Sequence, residues 1–371
     1  MNKNPDIKFM ELALRLARNG EGMTSPNPLV GAVLVRNGRI IGKGYHKKAG
    51  LNHAEIEAFE DAKKKGNRIS GAHLYVSLEP CCHTGKRTPP CTDAIIREKI
   101  SRVIVGMTDP NPRVSGEGIR KLKRAGIEVT RGILAEQAQK QNRVFIKHIT
   151  TGLPYVVLKM AVTLDGNIAT RTGDSKWIGS ETQRKYAHEL RNRLDSVLVG
   201  VNTVLSDNPS LNVRIKKARI SQPVPLVLDT KLKTPADSNL IKLHEKAIIA
   251  CTKNAKKSRI KTLEASGATV LQIPANKKGH VSMRRFFKRL VKMDITSVLI
   301  EGGGQVASSA LAEGLVDEIN IFYSPKIVGG DGISMISGLG IDKMAKALAV
   351  NDLSVKRFGQ EFLVEGYINN E

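Results

Sequence analysis

His53-Ala-Glu55 and, downstream, Ser77-Leu-Glu-Pro-Cys-Cys-His-Thr-Gly-Lys-Arg-Thr-Pro-Pro-Cys91 decide how the first part of the chain is read. His53 opens a helical run that reaches about Lys65. Leu74 to Leu78 is a strand, and Glu79-Pro80-Cys81 leaves its end. Cys91 stands just before a helix that follows Thr92. One strand end and two helix starts must meet if His53, Cys81 and Cys91 are to share a ligand. Such a meeting needs strands and helices alternating in layers. Zinc accepts imidazole and thiolate, and a catalytic zinc keeps its fourth position for water, so three protein ligands suffice. The metal lowers the pKa of its water towards neutrality, and helix N-termini near Cys81 and Cys91 favour their thiolates. Glu55, two residues beyond His53, can stand beside the metal without binding it and move protons.

A His-x-Glu followed by Pro-Cys is the pattern of zinc-dependent deaminases, in which the Glu is not a ligand. The usual second half is Pro-Cys-x-x-Cys. Here the nine residues Cys82 to Pro90 separate Cys81 from Cys91, so a longer loop is needed. Cys82 stands as an alternative ligand to Cys81. The plain reading, a helix-face histidine and buried thiols, is disfavoured by the three features occurring together.

Outward from this motif the chain alternates. A helix runs from Asp6 to Asn19-Gly20, and Leu29 to Val35 and Ile40 to Tyr45 form a hairpin about Asn37-Gly38. Past the cysteines come a strand (Arg102 to Met107), a helix (Gly118 to Ala125), a short strand (Ile127 to Thr130) and a helix from about Leu134 to His148. Gly152 and Pro154 then stop the helix, and the domain boundary is placed there, giving domains 1–150 and 151–371. The second domain opens with a strand, Tyr155 to Ala161. Ser180-Glu-Thr-Gln183 is a capping box that starts a helix to about Asn192. Strands follow at Ser196 to Val201, Pro225 to Leu228, Ala247 to Cys251, Ser297 to Ile300 and Glu318 to Tyr323. Helices are expected at Ser282 to Lys292 and Gln305 to Glu313. Both domains are therefore α/β.

Composition bounds the rest. The 371 residues are 41% hydrophobic and only 4% aromatic. That is globular, with few rings for stacking bases on an open surface. The formal net charge is +24, from 59 Lys+Arg against 35 Asp+Glu. The surplus is spread in short runs such as Lys63-Lys64-Lys65, Lys256-Lys257 and Arg284-Arg285. A solvated surface comes first, small anionic ligands second and nucleic acid last. Three of the four cysteines cluster, which fits metal or catalytic use better than disulfides. No apolar segment follows Met1 and no apolar run approaches ~18 residues, so a cytoplasmic location without membrane contact is expected.

At the cysteine loop the chain resembles the bifunctional riboflavin-biosynthesis deaminase/reductase family. Thr24-Ser-Pro-Asn-Pro-Leu-Val-Gly31, Gly44-Tyr-His46 and Asp109-Pro-Asn-Pro112 carry the same resemblance. So do Lys159-Met-Ala-Val-Thr-Leu-Asp-Gly166, Gly173-Asp-Ser-Lys-Trp-Ile178, Gly200-Val-Asn-Thr203, Asp207-Asn-Pro-Ser-Leu-Asn-Val-Arg214 and Glu301-Gly-Gly-Gly304. One departure is an added residue at Lys86-Arg87. The resemblance implies a cytidine-deaminase-like three-layer domain followed by a dihydrofolate-reductase-like domain. It implies one zinc ion, NADPH and small phosphorylated pyrimidine substrates. It assigns Asn27, His46, His83 and Lys86 to the deaminase substrate. To the cofactor it assigns Ala161, Trp177, Thr203, Asp207, Thr230, Gly303, Gly304, Gln305, Val306, Ala307, Ser308 and Ser309. To the reductase substrate it assigns Lys159, Asp165, Ser175, Arg191, Leu211, Arg214 and Glu301.

The residues alone leave alternatives. Asn27 between prolines and Asp165 before glycine are also ordinary turn residues. His46 and His83 are also ordinary loop histidines, Lys86 a solvated charge and Trp177 a core residue. The Gly302-Gly303-Gly304 turn does not meet the Gly-x-Gly-x-x-Gly spacing. A deaminase acting on an extruded tRNA base would share the zinc chemistry, but it leaves about 220 residues of second domain without a task. A non-catalytic pair of domains conflicts with the intact His53, Glu55, Cys81, Cys91 and Glu301. No nucleic-acid partner is expected. A homo-oligomer is expected, without a derivation of its symmetry.

Overall fold

The computed structural model describes residues 5–83, 89–112, 114–176, 178–215 and 222–368, divided into compact units over 1–152 and 153–371. The first unit holds α1 (Pro5–Ala17), β1 (Gly31–Arg36), β2 (Arg39–Tyr45), α2 (Ala54–Lys64), β3 (His73–Leu78) and α3 (Cys91–Arg97). It continues with β4 (Arg102–Met107), α4 (Glu117–Arg124), β5 (Glu128–Arg131), α5 (Ala135–Gln141) and α6 (Arg143–Thr151). The sheet order is β2-β1-β3-β4-β5. β1 is antiparallel to both neighbours, while β3, β4 and β5 run parallel.

Alternation along β1 builds three layers. Ala32 and Leu34 pack with Ala58 and Phe59 of α2, Ile95 of α3 and Leu122 of α4. Val33 and Val35 face the other way, onto Met10 and Leu14 of α1 and Ala138 of α5. With period-2 side chains, one sheet thus buries helices on both faces. The buried Asp6 carboxylate pins α1 to the sheet. It accepts from the Tyr75 hydroxyl at 2.7 Å and from Arg102 at 3.1 Å.

The helix expected over 134–148 is two helices, because Asn142 breaks it with φ −104° and ψ 20°. Its buried carboxamide accepts from Leu29 N–H at 2.8 Å and donates to Leu29 C=O at 3.0 Å. The bend lets one side chain satisfy the backbone just before β1, a demand that helical periodicity cannot register.

The second unit begins with β6 (Tyr155–Thr163), β7 (Asn167–Ala169), α7 (Glu181–Arg193), β8 (Ser196–Gly200), α8 (Val201–Asp207) and β9 (Val224–Leu228). There follow α9 (Asn239–Lys242), β10 (Ala247–Cys251), α10 (Lys257–Ala265), β11 (Ala268–Gln272) and α11 (Met283–Val291). Last come β12 (Ser297–Glu301), α12 (Gly304–Ala312), β13 (Glu318–Ser324), β14 (Ile333–Ser334), β15 (Val350–Phe358) and β16 (Glu361–Ile368). The large sheet has the order β11-β10-β9-β8-β12-β6-β13-β16-β15. It is parallel from β11 to β13, and the β15–β16 hairpin adds an antiparallel edge. Phe286 and Phe287 of α11 and Ala307 and Ala310 of α12 fill the core against it.

The capping box at α7 is half formed. Ser180 Oγ accepts from Gln183 N–H at 3.4 Å. The reciprocal bond is made by Glu361 of β16, whose carboxylate accepts from Ser180 N–H at 3.0 Å and from the Ser180 hydroxyl. Among the described residues no helix is long and apolar enough to cross a membrane.

Asn142→Ala strands the Leu29 backbone groups in a buried place, which costs about 1–3 kcal/mol. Differential scanning calorimetry is expected to show the transition of the first unit shifted down and that of the second unchanged.

Candidate metal centre and reductase site

Three element ends converge in the first unit. His53 is the N-cap of α2, Cys81 follows β3, and Cys91 is the first residue of α3. Their donor atoms all lie within 4.8 Å of one another, and Cys82 is outside the group. His53 Nδ1 is 3.1 Å from Cys91 Sγ and 3.6 Å from Cys81 Sγ. Around a tetrahedral zinc an imidazole nitrogen and a thiolate sulfur are separated by about 3.5 Å. The donor set and its spacing therefore fit zinc.

The thiols already share their charge unequally. The hydrogen bond with Cys91 holds the Cys81 thiol down at about 3, and His53 and the Cys91 N–H, 3.4 Å from the sulfur, act in the same direction. Cys91 holds its proton well above the usual range, because it donates towards Cys81 and is buried. Glu55, in the first turn of α2, is only 3% exposed. Burial raises its carboxyl pKa, and the Cys91 thiol lies within hydrogen-bonding reach.

His46 adjoins the cluster, its ring centroid 5.5 Å from that of His53. Its Nδ1 is 3.0 Å from the Asn52 carbonyl and its Nε2 is 3.1 Å from Asn27 Nδ2. A carbonyl can only accept, so Nδ1 carries the proton and Nε2 accepts from the Asn27 amide. Burial lowers the His46 pKa, which agrees with a neutral ring. His83 is half-buried beside the cysteines. Lys86, with the added residue at Lys86-Arg87, lies outside the described residues.

In the second unit the strand register aligns Glu301, Lys159 and Asn320 across β12, β6 and β13. Arg191 of α7 grips Glu301 with both arms, Nε to Oε1 at 2.6 Å and Nη2 to Oε2 at 2.8 Å. Its Nη1 donates to Asn212 C=O at 3.0 Å. Burial pushes the Glu301 carboxyl up, and Arg191 together with Lys159 and His188 more than reverses it, leaving the pKa below its ordinary value. Burial lowers that of Lys159, with Glu301 opposing.

The segment carrying Leu211 and Arg214 is held against this pair. Sequence reasoning missed two residues that hold it. His244 donates from Nε2 to Ser210 C=O at 2.6 Å, and His188 Nδ1 accepts from Arg214 N–H at 3.3 Å. An isolated histidine in a helix or loop gives no sequence signal for such a long-range task. Leu211 is buried with φ +50°, a conformation that costs a bulky residue about 1–3 kcal/mol.

The glycine turn before α12 has φ +97° at Gly302 and +83° at Gly303, which a side chain would strain. A Cβ at either would approach Thr203 within 3.6 to 3.7 Å. The turn thus leaves backbone N–H groups at a helix start beside Thr203, a fit for a dinucleotide phosphate. Val306 and Ala307 turn their side chains into the core, and their amides close the first turn of α12 on the Gly303 carbonyl at 2.9 and 3.1 Å. Ser308 Oγ donates to Gly304 C=O at 2.7 Å. Gln305, Ser309 and Asp207 are exposed, while Ala161 and Thr230 are half-buried.

Two further predicted substrate residues are not in the strand row of Glu301, Lys159 and Asn320. Asp165 accepts from Thr163 Oγ at 2.5 Å and from Gly329 N–H at 2.7 Å, contacts that hold its pKa at about 2. Ser175 is exposed in the loop before α7. Trp177 lies outside the described residues.

Comparison with known proteins follows this division. Residues 3–107 match the cytidine and deoxycytidylate deaminase zinc-binding region, and residues 154–364 match the RibD C-terminal domain. The riboflavin biosynthesis protein RibD of Aquifex aeolicus is 44% identical over 98% of this chain and 99% of its own. That of Escherichia coli is 35% identical over 96% and 97%. Acinetobacter baumannii RibD superposes with a TM-score of 0.88 at 34% identity, covering 98% of this chain and 99% of its own. A Thermotoga maritima structure gives 0.86 at 39%, with the same coverage. It is described as a diaminohydroxyphosphoribosylaminopyrimidine deaminase/5-amino-6-(5-phosphoribosylamino)uracil reductase. The first domain is thus cytidine-deaminase-like and the second a RibD reductase domain, and the chain belongs to the RibD family of riboflavin biosynthesis proteins.

Proposed function

We propose that this chain catalyses two consecutive steps of riboflavin biosynthesis. The first unit deaminates diaminohydroxyphosphoribosylaminopyrimidine to 5-amino-6-(5-phosphoribosylamino)uracil, releasing ammonia. The second reduces the ribosyl group of that product to a ribityl chain. The observation that carries the reading is the cluster of half-buried His53 with buried Cys81 and Cys91, with Glu55 beside it.

His53, Cys81 and Cys91 hold one zinc ion. Zinc so held keeps an open coordination position and acidifies water, which makes a nucleophile available near neutral pH. Glu55 takes one proton of the attacking water and gives it to the pyrimidine ring nitrogen. It then takes the second, from the hydroxyl now on the ring carbon, and gives it to the leaving amine, so that both protons of the water are accounted for. Its raised pKa suits both directions. The neutral His46 fixes Asn27, leaving the Asn27 side-chain carbonyl as an acceptor for a ring N–H. His83 and Lys86 contact the same substrate.

NADPH brings the hydride chemistry of the second step. The residues Gly303 through Ser309, with the free amides at the start of α12, bind it together with Ala161, Trp177, Thr203, Asp207 and Thr230. Arg191 holds the Glu301 carboxylate ionised and aimed, and Lys159 places a cation in the same row. Ser175, Leu211 and Arg214 close on the substrate, and the Arg214 guanidinium suits its phosphate. Asp165 acts by tying the β6–β7 turn to Val328 and Gly329. β15 is one of the two edge strands of the large sheet and exposes Leu353 and Val355, which supports a homo-oligomer. We place the enzyme in the cytoplasm, where NADPH and phosphorylated intermediates meet.

Glu55→Gln is expected to keep about one zinc per chain while ammonia release falls by at least about a hundredfold. Retained deamination would remove Glu55 from the proton path. Cys81→Ser is expected to lose the metal and Cys82→Ser to keep it, read by metal analysis of the purified protein. Arg191→Ala leaves Glu301 buried without its partner and is expected to cost about 3–5 kcal/mol in urea unfolding. Adding Glu301→Ala should recover part of that loss, and no recovery would mean the pair is not coupled.

A further inference from the structure

Glu79 stands two residues before Cys81, and its side chain is neither a member of the donor cluster nor solvent-facing. It is 3% exposed. Its carboxylate is spent on backbone. Oε2 accepts from Asp109 N–H at 3.1 Å and Gly116 N–H at 2.9 Å, and Oε1 accepts from Ile119 N–H at 3.2 Å. All three donors lie in the segment from the end of β4 to the first turn of α4. A carboxylate taking three amide hydrogen bonds is a strong tether, and a buried one needs such partners.

The tether presses this segment against the peptide that leads into Cys81. A Cβ on Gly118 would lie 2.2 Å from the Pro80 carbonyl oxygen, so α4 meets Pro80 at a place only glycine fits. On the opposite side the Cys81 carbonyl accepts from Thr92 N–H at 3.2 Å and from Thr92 Oγ at 3.4 Å. Cys81 is therefore gripped between the start of α3 and the start of α4. The Asp109-Pro-Asn-Pro112 motif also finds a purpose here. Asp109 Oδ1 accepts from Asn111 N–H at 2.9 Å, which shapes the turn whose first amide Glu79 holds.

We propose that Glu79 is a positioning residue for the metal centre: by tying the 109–119 segment beneath Pro80 it sets the direction of the Cys81 thiol. This rests on the reading of His53, Cys81 and Cys91 as zinc ligands. Metal distances tolerate only about 0.2 Å of error, so a small rotation at Pro80 is felt as lost affinity. Glu79→Gln puts an NH2 group where an oxygen accepted N–H bonds. Gly118→Ala improves helix propensity, so any loss it causes comes from the clash with Pro80 and the crowding of the Glu79 carboxylate 3.1 Å away.

The test is competition for zinc against a chromophoric chelator, using the purified full-length chain. The calorimetric transition of the first unit in the same chain serves as the folding control. Glu79→Gln and Gly118→Ala are each expected to weaken zinc binding about tenfold or more. Ile104→Ala loosens the same sheet on the face away from the cluster. It is expected to lower the melting temperature at least as much, yet to bind zinc as the parent does. Parental affinity in both variants, or an equal loss in Ile104→Ala, would overturn the positioning role. A parent chain that takes up no zinc would instead overturn the metal reading on which the role rests.

Discussion

Two buried thiols and a half-buried imidazole within 4.8 Å of one another constrain the whole first unit. Such a group is costly without a cation, because a thiolate in an apolar place has lost its water. The protein reduces that cost by placing His53 beside both sulfurs and by turning the Cys91 backbone N–H towards Cys81. The geometry comes from where secondary structure stops and starts. β3 lies at the middle of the sheet and delivers Cys81 from its end, while α2 and α3 pack on one face and present His53 and Cys91 at their starts. Glu55 follows without further design, since a residue two past the N-cap of α2 stays in the first turn beside the ligand.

The second unit solves a related problem with charges in place of thiols. Glu301, Lys159 and Arg191 come from two adjacent parallel strands and the helix α7. A buried ion pair contributes little net stability by itself, because desolvation offsets attraction. Its value lies in orientation. The bidentate grip of Arg191 leaves Glu301 one direction, and the Arg191–Asn212 bond carries the same restraint to the 208–214 segment. Asp165 and Ser308 also carry contacts within the chain. Asp165 holds the 328–329 turn, and Ser308 accepts from Ser337 N–H at 2.8 Å, so both draw the stretch after β13 towards the glycine turn.

Much of this was legible in the residues. His-Ala-Glu and Glu-Pro-Cys carry their chemistry in local spacing, and the structure groups His53, Cys81 and Cys91 but not Cys82. Elements with a buried face were readable from period, as β1 and α2 show. What escaped depends on distant partners. Asn142 breaks a helix for Leu29. Gln183 looks like the closing half of a capping box, yet Glu361 makes that bond. The β15–β16 hairpin was unread because Asn351 to Arg357 are exposed on both faces and a bulge between Asn351 and Ser354 breaks the alternation. His188, His244 and Glu79 act on backbone groups far along the chain, which no motif records.

The central claim is that one chain carries two chemically separate sites acting in order, with zinc needed only for the first. The direct measurement is NADPH oxidation by zinc-stripped protein. Supplied with 5-amino-6-(5-phosphoribosylamino)uracil, the stripped chain should oxidise NADPH at the parental rate. Supplied with diaminohydroxyphosphoribosylaminopyrimidine, it should oxidise none until zinc is returned, after which ammonia should appear before NADPH falls. NADPH oxidation on the diamino compound without zinc, or loss of reduction of the uracil on stripping, would contradict the account.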